Sequence, residues 1–245
     1  MRVLTHTVIE AEAGQPVKQL LHLWGISGSF LSRLKFRQAI TVNGAPVTVR
    51  FVPRPGDVLA ADVSDLPGEH PHIRPVDFPL DILYEDEDIL VLNKPADMPV
   101  HPSIGNYTNT LANAAAFYFQ QKNELCPFRC INRLDRDTSG SLILAKNALS
   151  AAILSAQMRN REIRRTYLAV VCGVTPPSGT VSAPIGRVSD SVIQRQVDPE
   201  HGESAVTHYE RLAVRNDHSL LEIHLETGRT HQIRVHMAVS YTHLT

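Results

Sequence analysis

Between Ile131 and the apolar run Leu142-Ile143-Leu144 lie nine residues, Asn132-Arg133-Leu134-Asp135-Arg136-Asp137-Thr138-Ser139-Gly140, with two arginines, two carboxylates and two hydroxyls. A segment that leaves and re-enters a core in this way is a short loop, and the glycine marks its turn. The flanking runs are therefore strand-like, and a polar loop on a rigid sheet is where chemistry tends to sit. Asp followed by Thr-Ser-Gly is also ordinary turn chemistry, because these side chains bond nearby backbone amides. The rest of the chain decides between the two readings.

Segments of strand character dominate after Arg164, at 167–171, 192–197, 206–214 and 220–225. Earlier, 80–84 and 89–92 bracket the acidic turn Glu85-Asp86-Glu87-Asp88 and read as antiparallel strands, and 141–145 reads as a buried strand. A proline-bounded loop follows from Asn93-Lys94-Pro95 to Val100-His101-Pro102. Helices are expected at 110–121, capped by Thr108 or Asn109, and at 148–158, capped by Asn147. Strands in runs with few helices predict an α+β fold, with a mixed, largely antiparallel sheet flanked by helices.

A smaller α/β domain is expected in front, over residues 1–62. Residues 17–34 have helical spacing, broken into two short helices by Gly25 and Gly28, with Ser27 or Ser29 as a cap. Ala39-Ile40-Thr41-Val42 and Val47-Thr48-Val49 flank Asn43-Gly44, a hairpin signal, and Pro55-Gly56-Asp57 turns into Val58-Leu59-Ala60. Residues 63–78, rich in proline and without hydrophobic period, read as a linker, leaving 79–245 for the larger domain.

The 245 residues are 43% hydrophobic and 20% charged, as in a soluble globular protein. No signal peptide or membrane-length apolar run is visible, so a cytoplasmic protein without a membrane partner is expected. Cys126, Cys130 and Cys172 lack the paired spacing of a zinc site and read as free thiols, so neither a metal nor a cofactor is implied. The net charge of −1 hides segregation: 1–60 and 129–165 carry seven and eight Lys/Arg against three acidic residues each, and 61–97 carries ten acidic residues against two basic. Local basic clusters matter more to a polyanion than the sum does.

The nine-residue loop resembles the Arg-Leu-Asp-x-x-Thr-Ser-Gly signature of RNA pseudouridine synthases of the large-subunit ribosomal (RluA-type) family. Two further segments resemble that family's later motifs. They are Arg164-Arg165-Thr166-Tyr167-Leu168-Ala169-Val170-Val171 and Thr227-Gly228-Arg229-Thr230-His231-Gln232-Ile233-Arg234-Val235-His236-Met237. In front, Phe30-Leu31-Ser32-Arg33-Leu34-Lys35, Thr41-Val42-Asn43-Gly44 and Pro55-Gly56-Asp57 resemble the alpha-L RNA-binding domain.

The resemblance implies that uridines in structured RNA are converted to pseudouridine, with ribosomal RNA favoured over transfer RNA, no cofactor, and a monomer as the default state. It implies Asp135 as the catalytic residue, Tyr167 as the ring that stacks on the target base, and Arg234 as the partner of the aspartate. It also implies that Arg133 fills the gap left by the extruded base, whose removal costs a few kcal/mol. Further RNA contacts are expected from Arg136, Arg165, Arg229, His231 and Gln232, and from Arg33, Lys35 and Arg37 in front. Asp135 could attack the anomeric carbon or take a ribose proton; both remain open. An aromatic face beside arginines suits an extruded base, since stacking accepts any flat ring and cations hold phosphates. His231 and His236, five apart, would not share a helix face and read as hydrogen-bonding or packing residues, not zinc ligands.

Two departures are visible. Asn132 stands where the family usually has histidine, and 240–245 does not follow the family's continuation, so a C-terminally incomplete catalytic domain is expected. A second reading is a non-catalytic RNA-binding protein of the same family. A third, a glycoside hydrolase, would need a separated carboxylate pair, and Asp135 and Asp137 are too close in the loop to favour it.

Overall fold

The computed structural model describes residues 2–65, 73–124, 126–189, 191 and 193–241. The expected α+β class is observed, and every described strand pairing is antiparallel. The chain divides between Arg159 and Asn160 into two compact units.

The first unit opens with β1 (Val3–Thr7), which carries no apolar alternation strong enough to signal it; it pairs with a later strand, β4. The helices α1 (Val17–Leu23) and α2 (Gly28–Phe36) follow, the second capped by Ser27, whose hydroxyl accepts from the Phe30 amide. Between them the chain turns through a Schellman motif: Gly25 N–H donates to His22 O and Ile26 N–H to Leu21 O, with Gly25 at φ +81.

Next come β2 (Ile40–Val42), β3 (Ala45–Pro46) and β4 (Val58–Asp62), giving the sheet order β1-β4-β2-β3. Asn43 and Gly44, both at positive φ, form the expected hairpin turn. The expected strand at 47–49 is not one. Val47 N–H still donates to Ile40 O of β2, but beyond it the Val49 and Phe51 carbonyls accept the Lys18 and Val17 amides and satisfy the start of α1. Leu20, Leu21, Leu34 and Leu59 are buried between helices and sheet, each contributing roughly 2 kcal/mol.

Of the expected linker, 66–72 lies outside the described residues. Val63 is buried with the N-terminal core, and Val76 N–H donates to Asn113 O. Then β5 (Ile82–Glu85), β6 (Ile89–Lys94), α3 (Leu111–Gln121), β7 (Gly140–Ala145) and α4 (Ala148–Arg159) follow, with sheet order β5-β6-β7. Helix α3 is capped by Thr110, not by Thr108 or Asn109, because Asn113 three residues on completes a capping box with it. Asn147 caps α4 as expected, accepting from Ser150 N–H. One face of α4, with Ala148, Leu149, Ala152 and Ile153, packs into the N-terminal core.

The second unit holds β8 (Thr166–Cys172), β9 (Ser178–Ser182), β10 (Ile185–Arg187), β11 (Arg195–Val197), β12 (Val206–Arg215), β13 (His218–Leu225) and α5 (Gln232–Tyr241). Four strands form the sheet β8-β13-β12-β9, and β10 pairs with β11. Val171, Tyr209, Leu221, Ile223 and Met237 form the core. Strand β11 is shorter than the expected 192–197, and Val192 lies outside the described residues, as do 242–245 of the expected C-terminal departure.

Candidate active site

In the first unit the Asp135 loop grows out of a sheet edge. Residues 129–132 run along β7: Ile131 N–H donates to Ile143 O, Ala145 N–H to Arg129 O, and Cys130 bridges Leu144. Asn132 finishes the run, its side chain accepting from Ile143 N–H at 2.9 Å and donating to Ser141 O at 3.1 Å. Leu134 is buried and roots the loop, Thr138 N–H donates to Asp135 O to close the turn, and Gly140, at φ +125, readmits the chain to β7. Asp135 is half-buried, with Arg133, Arg136 and Asp137 exposed around it.

A residue without a role in the sequence reading holds this loop. Strand β6 alternates inward through Leu90, Leu92 and Lys94, so the lysine takes a core position and is fully buried. Its Nζ donates to Pro95 O at 2.7 Å, Met98 O at 2.8 Å and Arg136 O at 2.9 Å. Three donors meet three carbonyls, and Met98 N–H adds a bond to Arg136 O. Burial pushes the Lys94 ammonium below its ordinary range, and the Asp137 and Asp135 carboxylates oppose that shift. Arg136 itself reaches Asp97, its Nε at 2.7 Å from Oδ1. His101 stands edge-on to Phe128 at 5.2 Å, and burial together with the Arg133 guanidinium holds its imidazole below the usual range.

The front basic residues part company. Arg33 lies over the Phe30 ring at 4.9 Å. Arg37 is half-buried: it donates to Ser64 O at 2.7 Å and lies 3.7 Å from Asp62, at the end of β4. Lys35 instead joins Lys18 and Arg50 around a cavity of about 430 Å³, floored by Leu31 and Val49 and free of carboxylates. Lys18 and Arg50 come from segments too far apart in sequence for any local pattern to join them.

In the second unit Tyr167 lies on β8 opposite Ile223, half-buried on the core-facing side of the strand. The Arg165 guanidinium lies against Gly228, where an added Cβ would come within 2.9 Å of Nη1. The third motif is organised by Gln232, which is buried. Its Oε1 accepts from Thr227 Oγ1 at 2.7 Å and Arg229 N–H at 3.0 Å, and its Nε2 donates to Val206 O and Thr207 Oγ1, both at 3.0 Å. All four amide valences are used inside the unit, so Gln232 positions the motif and does not contact RNA through its amide.

His236 is buried between Thr207 Oγ1 and Ala183 O, each at 2.9 Å, a hydrogen-bonding role as read from sequence. Burial holds its imidazole below the ordinary range, against the Ala183 bond. Arg229 pairs with Glu203 and donates to Ser204 O, keeping part of its surface exposed. His231 has φ +58 at the entry to α5, and Arg234 is half-buried on that helix's first turn.

Along the chain the Asp135 turn is followed by the strand that bears Tyr167 and the helix that bears Arg234. Residues 88–239 match the family of RNA pseudouridylate synthases, and the chain belongs to that family. It is 41% identical over 204 residues to the uncharacterized RNA pseudouridine synthase YhcT of Bacillus subtilis, covering 82% of this chain and 67% of that protein. It is 38% identical over 241 residues to ribosomal large subunit pseudouridine synthase D of Escherichia coli K12, covering 96% of this chain and 72% of that protein. Among solved structures it resembles human RNA pseudouridylate synthase domain containing 1, with a TM-score of 0.54 and 28% identity over 66% of this chain and 65% of that one.

Proposed function

We propose that this chain converts uridine to pseudouridine in structured ribosomal RNA, with Asp135 as the catalytic carboxylate. Family membership carries the reaction; the observation that carries the residue is the turn on which Asp135 sits, bonded to β7 on one side and to Lys94 on the other. The reaction breaks the bond between uracil N1 and the anomeric carbon, turns the base, and joins C5 to the same carbon. The C5 proton goes to solvent and N1 takes one up, so no redox partner is needed. Cleavage passes through positive charge on the sugar, which a fixed carboxylate stabilises.

Tyr167, as the base-stacking ring, and Arg234 enter this reading through the motifs that carry them. Ribosomal RNA is favoured over transfer RNA because the Escherichia coli relative is named for the large ribosomal subunit. The carboxylate-free cavity of Lys18, Lys35 and Arg50 supports an RNA backbone partner for the N-terminal part. The test is tritium release from ribosomal RNA labelled at uracil C5. The wild-type chain should release tritium, and Asp135→Asn should lose about a thousandfold or more of the rate while keeping its fold and RNA affinity. Release that survives in Asp135→Asn would assign the chemistry elsewhere.

A further inference from the structure

The residues between the proline loop and α3 form a projecting turn. Ser103 and Asn106 exchange both backbone hydrogen bonds, each 2.9 Å, with Gly105 at φ +80 in the bend. Asn109 Nδ2 donates to Asn106 Oδ1 at 2.9 Å, and Asn113 Nδ2 donates to Tyr107 O at 3.2 Å. The first turn of α3 also fixes the near side of the loop, with Leu111 N–H on Pro99 O and Ala112 N–H on Val100 O. A turn pinned at both ends nevertheless leaves two large apolar side chains in water, Ile104 93% and Tyr107 66% exposed.

Its base is tied to the catalytic loop. Met98 N–H and Lys94 Nζ both meet Arg136 O, and the His101 ring packs against Phe128, the residue before the segment that leads to Asp135. The tip is thus held by the same short stretch that holds the Asp135 turn. Residues 103–110 include no Lys, Arg, Asp or Glu, so the tip has no cation to pair with a phosphate. It offers a ring, a branched aliphatic group and amides, which are the groups that meet base faces.

Area decides between a base and a protein as the occupant. A stable protein interface needs roughly 800 Å² per partner. A tyrosine and an isoleucine on one turn supply about half of that at most. They match the faces of one or two unstacked bases, and a preorganised turn adds little ordering cost.

We propose that the turn at 103–107 engages unpaired bases flanking the target uridine, Tyr107 as a stacking platform and Ile104 as a wedge beside it. This rests on the reading of the chain as an enzyme acting on RNA.

The test uses the full chain and protein-free ribosomal RNA tritiated at uracil C5, with filter binding and tritium release measured on the same RNA. Tyr107→Ala should raise Kd and KM about tenfold, the worth of one base–aromatic stack, with the loss falling on KM far more than on kcat. Tyr107→Phe, which keeps the ring, should bind like wild type, and Ile104→Ser should cost about threefold. The slope of log Kd against log salt should not move, because no phosphate contact is removed. Both side chains are exposed, so thermal melts should match wild type. Unchanged Kd and KM in Tyr107→Ala, an altered salt slope, or no rescue by Phe would each overturn the proposal. If the wild type binds RNA but releases no tritium, the catalytic reading fails while the binding comparison still decides the turn. If the wild type does not bind, both fall.

Discussion

Lys94 shows how a single residue can govern a loop it does not belong to. A buried ammonium is costly, and it is tolerated here because each proton has a carbonyl. Lys94→Met keeps the volume and removes the donors, leaving the Pro95, Met98 and Arg136 carbonyls short of a bond. The expected loss is on the order of 3 kcal/mol in urea unfolding, with a fall in kcat as the Asp135 turn loosens. Wild-type stability in that variant would show that the carbonyls find other partners. The sequence reads as a strand over 89–92 with Lys94 in the loop that follows, whereas β6 runs on to Lys94 and its alternation turns the lysine inward. Nor does the sequence show that the acceptor lies on Arg136, far along the chain. Gln232 is the mirror case: its place in the third motif was legible, and its inward-turned amide was not.

At the scale of elements, Gly25 combines a left-handed backbone with a close approach. It has φ +81 in the Schellman turn, and a Cβ there would meet Ile153 Cγ1 of α4 at 2.5 Å. Gly14 has nearly the same φ, +80, with nothing within 4 Å. Gly14→Ala should therefore cost about 1 kcal/mol, the backbone penalty alone. Gly25→Ala should cost roughly 2–4 kcal/mol, because overpacking against α4 is added. Equal losses in denaturant titrations would mean that Ile153 swings away freely. The helix break itself was legible from Gly25 and Gly28, as were the Asn43-Gly44 hairpin and the Asn147 cap. Strand β1 was not, because it alternates only between exposed and half-buried positions and exists by pairing with β4. The 47–49 stretch reads as a strand by composition, but α1 needed its carbonyls.

For the molecule as a whole, the acidic excess of 61–97 is partly consumed in structural pairs. Glu85 accepts from Lys122 and Lys146, both at 2.8 Å, and from Tyr118. Burial alone would raise its carboxyl, but the bonds from Lys122, Lys146 and Tyr118 win and hold it at about 2. A lowered carboxyl gives stability that is present above its ordinary value near 4.5 and is lost as pH falls through about 2. The shift corresponds to about 3 kcal/mol at full strength, and solvent screening reduces it to on the order of 1 kcal/mol. Glu85→Gln should therefore melt below wild type at pH 7, and the two melting curves should converge as pH drops from 4 towards 2. Parallel curves across that range would remove Glu85 from the acid response.

The sequence by itself determined the repeating elements, the polar loop bearing Asp135, and the three ordered motifs that place the chain among RNA pseudouridine synthases. These are local properties, set by side-chain period, backbone sterics and turn chemistry. Tertiary structure alone decided which polar groups are spent internally and which remain outward. It turned Gln232 inward, tied Arg37 to the Ser64 carbonyl, set Lys94 under the Arg136 carbonyl, and gathered Lys18, Lys35 and Arg50 around one cavity. The reason is desolvation: a buried donor must find an acceptor, and chain closure, not sequence neighbourhood, determines which acceptor is within reach.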